Sequence, residues 1–401
     1  MKTQMNRVLV AAAAALVFGG AHAQALRPEV GKPLQAAEAM IKAGKYREAL
    51  AKVKEAEAVS GRTVAETTTI ERMRLAAASG AGDADTAARS FEALAGGMSG
   101  AEKLRSIESI AGSYYRGKEY AKAQQWYARY FKEGGTNAAN RTLMIQTQYL
   151  AGDFAGAARE LTAEVQATEK AGGTPPEPRL TLLLTAAQRL NDANITAYAM
   201  ERLVVHYPKK EYWADLLSRL QRKPSFSDRF ALDVYRLSLA TGVMNKASDY
   251  MEMAQLAVQA GFPAEGKQVV EKGYAAGVLG TGPEAERHKR LRDLIDKRTA
   301  ESKASLAADE AEALKAKDGN ALVTVGFNLV ANGQGAKGLA LMQQGITKGG
   351  LKRPEDAKLH LGVAQAMAGD PAKAQATFKT VGGNDGSADL ARLWALQARK
   401  R

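Results

Sequence analysis

The chain has 401 residues, of which 46% are hydrophobic, 25% charged and 6% aromatic. This composition is too apolar for a disordered protein, and abundant alanine with only 11 prolines predicts an all-helical fold. The absence of cysteine excludes disulfides, thiol nucleophiles and cysteine-ligated metal centres, and the 4 histidines are not placed at a metal-ligand spacing. We therefore expect no catalytic residue, no cofactor and no metal site.

The first 23 residues have the three parts of a secretory signal peptide. Lys2 and Arg7 give a positive start, an apolar stretch runs from Val8 to Phe18, and small residues precede Ala23. The apolar stretch is too short to cross a bilayer, which needs about 20 residues. We predict cleavage after Ala23, export to a bacterial periplasm and no integral membrane span.

The formal net charge is +13, and the chain stays strongly basic without its signal peptide. An exported protein does not usually meet nucleic acid, so we expect no nucleic-acid partner. The positive field would favour acidic proteins, anionic lipid head groups or acidic envelope polymers. Alternatively, the charge only keeps the protein in solution.

A pattern of glycine, an aromatic or apolar residue, alanine and a large apolar residue recurs along the chain. Glycine permits a tight reversal, and alanine lets a second helix approach the first closely, so each copy predicts a helical hairpin. The copies are Gly44, Tyr46, Ala49 and Val53; Gly82, Ala84, Ala87 and Phe91; Tyr120, Ala123 and Tyr127, with Gly117 displaced by one; Gly152, Phe154, Ala157 and Leu161; and Gly369, Pro371, Ala374 and Phe378.

With this frame the chain resembles the tetratricopeptide-repeat (TPR) family, in particular an exported bacterial member. In the last copy, Leu361 and Gly362 precede the turn at the spacing of the Leu-Gly pair in the family consensus. The consensus tryptophan, however, is present only in the unit around Trp213. The resemblance implies a right-handed, all-α superhelix of about nine to ten hairpins, ending in a polar-faced capping helix at Ser387–Lys400.

Two breaks rich in glycine and proline, at 172–178 and 279–283, suggest how the chain is organised. After the signal peptide we predict an N-terminal TPR-like array, then degenerate helical repeats, then a charged segment followed by further TPR-like repeats. Their bounds are 24–171, 179–280 and 284–401. Residues 284–317 lack glycine or proline at any candidate turn, so one long helix and a hairpin with a hidden turn both remain open.

Gly333, Gly335 and Gly338 form a GxGxxG motif of the kind found in dinucleotide-binding proteins. Such a site would require the preceding apolar run, Leu322 to Val330, to be a strand that opens a βαβ unit. The flanking pattern is helical and the repeat frame continues through it. We therefore interpret these glycines as turn and packing residues.

Two fragments resemble motifs of lytic transglycosylases: residues 108–112, which begin with Glu108, and residues 341–343. A catalytic carboxyl group would need a cleft and a raised pKa to protonate a glycosidic oxygen. The fragments are too far apart for one lysozyme-like domain. An enzyme or accessory subunit of peptidoglycan metabolism is therefore the alternative and not the main hypothesis.

In TPR proteins the first helix of each unit lines a concave face that binds peptides. The resemblance places seven residues of two consecutive units on this face: Arg105, Glu108, Tyr115, Arg116, Thr142, Gln146 and Tyr149. Arginine and tyrosine are enriched at interfaces, although the same residues could be ordinary solvated side chains. We expect a non-enzymatic periplasmic scaffold that binds segments of other envelope proteins, acidic ones among them. A binder of an anionic envelope polymer is a second alternative.

Overall fold

The computed structural model describes residues 26–399, and over this range the chain contains 20 α-helices and no strand. The predicted signal peptide, residues 1–23, lies outside the described residues. The predicted all-α fold is confirmed. No helix in the described range is long and apolar enough to cross a membrane.

The described chain divides into two compact units, with the first ending at Gly173 and also including Thr185–Asp192. The second consists of Thr174–Leu184 and the chain from Ala193 onward, so helix α9 (Glu177–Arg189) contributes to both. The other helices of the first unit are α1 (Pro28–Lys42), α2 (Tyr46–Glu57), α3 (Val64–Ala81), α4 (Ala84–Leu94), α5 (Gly100–Arg116), α6 (Tyr120–Lys132), α7 (Ala138–Leu150) and α8 (Phe154–Lys170).

Consecutive helices of the first unit pack as hairpins, and each hairpin packs against the next one. The alanines that the repeat frame places at the close approach of two helices have no exposed surface: Ala49, Ala87, Ala123 and Ala157. The large apolar residues four positions later are buried as well: Val53, Phe91, Tyr127 and Leu161. The frame read from the sequence therefore identifies the packing positions of this unit.

In the turn of the third hairpin, the displaced glycine leaves a residue with a side chain in the left-handed conformation. Gly44, Gly82 and Gly152 occupy the turns of the other hairpins with φ between 73° and 84°. In the third hairpin Gly117 has φ of −72°, and Lys118 instead takes the left-handed conformation with φ of 61°. A side chain at such a φ is strained, so the turn geometry is kept at this position despite its sequence.

The second unit continues with the same kind of hairpins and one exceptional helix. Its helices are α10 (Ala193–His206), α11 (Lys210–Gln221), α12 (Ala231–Thr241), α13 (Ala247–Gln259), α14 (Pro263–Ala275), α15 (Ala285–Lys315), α16 (Asn320–Ala331), α17 (Gly335–Lys348), α18 (Pro354–Met367), α19 (Pro371–Phe378) and α20 (Ser387–Ala398). The turns at Asn191, Pro224, Gly261 and Gly333 all lie between helices.

The charged segment 284–317 is one long helix, α15, of 31 residues. Its first half buries Leu291 and Ile295 in the main core of the unit, whereas its second half buries Leu306 and Ala313 in a separate cluster with α16. Ion pairs three or four residues apart, such as Lys289 with Asp293, support the solvated face. One helix thus takes the place of a hairpin.

The C-terminal helix forms as predicted, but its outer face is not polar. Leu390, Leu393 and Trp394 of α20 are buried, because this helix contacts α10 and α12 in addition to α18 and α19. Gln397 Nε2 donates to the carbonyl oxygen of Ala240 at 3.3 Å. The backbone N–H of Ser227 donates to the backbone carbonyl oxygen of Asp385 at 2.9 Å. The end of the second unit therefore packs back onto its beginning.

Candidate functional site

The seven residues predicted to line a groove lie on α5 and α7, the first helices of two consecutive hairpins. Both helices begin at side-chain caps: Ser99 and Glu102 bond reciprocally at the start of α5, and Asn137 Oδ1 accepts from the N–H of Ala139 at the start of α7. Arg105 and Arg116 are exposed, and the other five residues are half-buried. All seven thus lie outside the fully buried core of their unit.

A hydrogen bond joins two of these residues across the two helices. The hydroxyl of Tyr115 on α5 donates to Oε1 of Gln146 on α7 over 3.4 Å. This distance is long for a hydrogen bond, so the contact contributes little energy, but it places the two predicted positions side by side. The two helices therefore present one continuous polar face at this point.

The two tyrosines of this face are held by aromatic contacts from the following helices. Tyr115 meets Tyr120 of α6 edge to face, with ring centroids 5.9 Å apart, and Tyr149 meets Phe154 of α8 in the same way at 5.2 Å. Such pairs restrict the rings without covering them. These contacts restrict the orientation of Tyr115 and Tyr149 on this face.

Positive charge dominates this face. Arg116 Nη2 donates to Ser113 Oγ at 3.0 Å, which orients the guanidinium. The pKa of the Glu102 carboxyl group is lowered mainly by a hydrogen bond from the backbone of Ser99, and the positive charge of Arg105 adds to this effect. Glu108 is the only acid among the seven predicted residues. The face can therefore bind carboxylates and donate hydrogen bonds to a peptide backbone.

Tyr127 of α6 is a member of this site that the sequence did not reveal. The repeat frame assigns it to the core, and 1% of its surface is exposed. Burial, together with the negative charge of Glu108, raises the pKa of its hydroxyl to about 12, and the positive charge of Arg116 opposes the change. This core tyrosine is therefore within electrostatic range of Glu108 and Arg116, which periodicity alone does not indicate.

The fragments that resemble lytic transglycosylases lie in ordinary helices of different units. Glu108 is in the middle of α5, whereas Leu341 and Met342 belong to α17 and are buried in the core of the second unit. The GxGxxG segment is also helical where a dinucleotide site would need a strand, since Leu322–Val330 lies within α16. Its Gly333 is the turn residue before α17.

An open cleft of about 550 Å³ lies in the second unit between α14, α15 and the turn that follows α16. Gln268 Nε2 in its wall donates to the carbonyl oxygen of Ala331 at 2.7 Å, and Lys267 Nζ is paired with Asp296 at 2.5 Å. These polar groups are already bound within the protein. Residues 26–399 also contain no group of three or more possible metal ligands.

No protein-family model matches the chain, and no curated protein matches it. Among solved structures, the chain is similar to Naa15/Naa10 bound to HypK-THB, with 14% sequence identity, coverage of 87% of this chain and 57% of that chain, and a TM-score of 0.33. It is also similar to yeast Tom70, with 11% identity, coverage of 92% and 95%, and a TM-score of 0.20. The chain thus spans little more than half the length of the first neighbour, and neither similarity identifies a function.

Proposed function

We propose that the chain is a non-enzymatic scaffold of the periplasm, and that the face formed by α5 and α7 binds segments of other cell-envelope proteins. The observation that carries this proposal is the joined face itself: two exposed arginines and two supported tyrosines on consecutive first helices. Tyrosine and arginine carry much of the binding energy at protein interfaces. The signal-peptide pattern supports the location.

The chemistry of the face favours acidic segments. Arg105 and Arg116 are exposed and Glu108 is the one opposing charge among the predicted groove residues. Exposed charges of this kind mainly steer association and select partners, and they contribute less to affinity than buried anchors do. We therefore expect the tyrosines to contribute most of the affinity for the partner and the arginines to determine which partner binds.

Site-specific photo-crosslinking in the periplasm tests the proposal. A photoreactive phenylalanine analogue at Tyr149 should capture discrete partner proteins, and the same analogue at Gln125, an exposed residue of α6, should not. Reversing both arginines, with Arg105→Glu and Arg116→Glu, should remove the Tyr149 adducts. Equal adducts at both positions, or adducts that survive the charge reversal, would refute the groove.

The non-enzymatic part of the proposal has its own test. Purified protein incubated with peptidoglycan should release no muropeptides, because we assign Glu108 to a helix face and not to acid catalysis. Release that is abolished by Glu108→Gln alone would replace the scaffold with the enzyme hypothesis. The corresponding variant Glu102→Gln, at the capped start of the same helix, is the control for a purely structural effect.

A further inference from the structure

An ion pair and a histidine–aspartate contact, one helical turn apart, link the beginning of α12 to α18 in the second unit. Arg229, in the short 3-10 segment Asp228–Phe230 before α12, donates to both carboxylate oxygens of Asp356 at 3.0 Å. Four residues further along each segment, Nε2 of His360 lies 3.1 Å from Oδ1 of Asp233. These contacts hold together parts of the unit that are 127 residues apart in the chain.

The second contact continues into a buried cluster of charges. Asp233 accepts from Arg236 Nη1 at 2.8 Å, and Arg236 donates through Nε and Nη2 to both oxygens of Glu265 on α14 at 2.7 Å. These three side chains are 3–5% exposed. The guanidinium carbon of Arg236 lies 4.6 Å from the centre of the Phe327 ring and 5.3 Å from that of Phe262. Two aromatic rings therefore flank Arg236 within this buried cluster.

The cluster is electrically balanced only when His360 carries a proton. Asp233 and Glu265 bring two negative charges and Arg236 brings one positive charge. An unbalanced charge in a buried site is costly because water cannot solvate it. Burial raises the pKa of Asp233, but the attraction of His360 and Arg236 outweighs it and lowers the value to about 2, so Asp233 stays ionised at neutral pH.

The groups that face His360 come from α12, α14, α16 and α18 itself. Helix α12 presents Asp233 and Arg236, α14 presents Glu265 through its bond to Arg236, and α16 presents the uncharged ring of Phe327 at 6.0 Å. On α18 itself, Asp356 lies one turn away and is already bound to Arg229. The side chain of His360 is 22% exposed, so protons from solvent can reach it.

We propose that His360 is a proton-dependent clasp that holds the second unit closed. With a proton, its imidazolium pairs with Asp233 and neutralises the buried cluster, which tightens the link between α12 and α18. Without the proton, one negative charge remains unbalanced in the interior and the link loosens. Histidine is the side chain suited to this role because it changes charge between about pH 5 and 8. The clasp does not depend on the proposed groove in the first unit.

Hydrogen exchange of the full chain, read by mass spectrometry, tests the clasp. After correction for intrinsic exchange rates, peptides of α12 and α18 should exchange faster near pH 8 than near pH 5.5, because loss of the proton leaves an unbalanced negative charge in the buried cluster. Peptides of α3 to α6 in the first unit should show no corrected difference and serve as the internal reference. A difference of equal size in both units would overturn the proposal.

Variants separate the clasp from a general effect of pH. His360→Gln should bring the ratio of exchange rates between the two pH values close to one, whereas His206→Gln on α10 should keep the wild-type ratio. Asp233→Asn removes the partner and leaves the imidazole, so it should also abolish the pH dependence and remains informative if His360→Gln fails to fold. A wild-type ratio in either the His360 or the Asp233 variant would refute the clasp.

Discussion

The close packing of α16 against α17 predicts that replacing a glycine by alanine there destabilises the protein, although this substitution usually stabilises a helix. Alanine in place of glycine normally stabilises a helix by about 1 kcal/mol. At Gly338, however, an added Cβ would lie 2.4 Å from the carbonyl oxygen of Gly326, and 2.7 and 2.8 Å from Cγ2 and N of Val330. Real Cβ atoms do not approach backbone atoms this closely, so Gly338→Ala must move the two helices apart.

The expected loss follows from these distances. Overpacking a buried contact typically costs about 1–3 kcal/mol, and the upper end applies because two of the three atoms belong to the backbone and cannot rotate away. Subtracting the gain in helix propensity leaves a net destabilisation of about 2 kcal/mol. For a unit of this size, that corresponds to a decrease in Tm of about 4–8 °C.

Gly31→Ala is the matched control. Gly31 lies in α1, and an added Cβ would meet only Cβ and O of Leu26, at 3.8 and 3.9 Å, which is ordinary van der Waals contact. This variant should be stabilised by up to about 1 kcal/mol. Calorimetric melting of both variants, together with hydrogen exchange of peptides from α16 and α17, distinguishes the two outcomes.

A Gly338→Ala protein as stable as the wild type would show that α16 and α17 are not in the close contact described above. The same experiment bears on the GxGxxG motif. If the glycines bound a dinucleotide, adding NAD should raise the Tm of the wild type and not that of the variant. We expect no such shift in Tm, because Gly338 packs against the backbone of α16.

Two further predictions concern the repeat frame and the N-terminal ion pair. Ala374 has no exposed surface, so Ala374→Leu should lower the free energy of unfolding by about 1–3 kcal/mol. Hydrogen exchange should become faster in α18 to α20 while the region around Tyr127 stays protected. A uniform loss of protection along the chain would contradict a repeat architecture. Hydrogen bonds from Arg27 lower the pKa of Glu66 to about 2, so this pair stabilises the fold fully above the ordinary carboxyl pKa of 4.5 and loses its effect as pH falls through about 2. The Tm of the wild type should thus fall more between about pH 5 and pH 2 than that of Glu66→Gln, and parallel decreases would refute the assignment.

The candidate groove was accessible to prediction because a repeat fixes which helix face each residue occupies. Once the glycine, aromatic and alanine positions set the frame, Tyr115 and Gln146 are assigned to the same face of consecutive first helices, and the structure places them within 3.4 Å. The frame predicts the direction in which a side chain points, but not which residues its far end comes near. It therefore assigns Tyr127 to the core without indicating that this residue lies within electrostatic range of Glu108 and Arg116.

What the sequence determines by itself is local: the hairpins, their turns and their close-approach alanines, because each of these depends on residues only a few positions apart. The closure of the second unit is decided by the tertiary structure. Arg229 meets Asp356 across 127 positions, and no periodicity relates the two. The buried cluster of Asp233, Arg236 and Glu265 is equally invisible in the sequence, because charged residues in a helix are usually solvated and only the fold decides which of them it encloses.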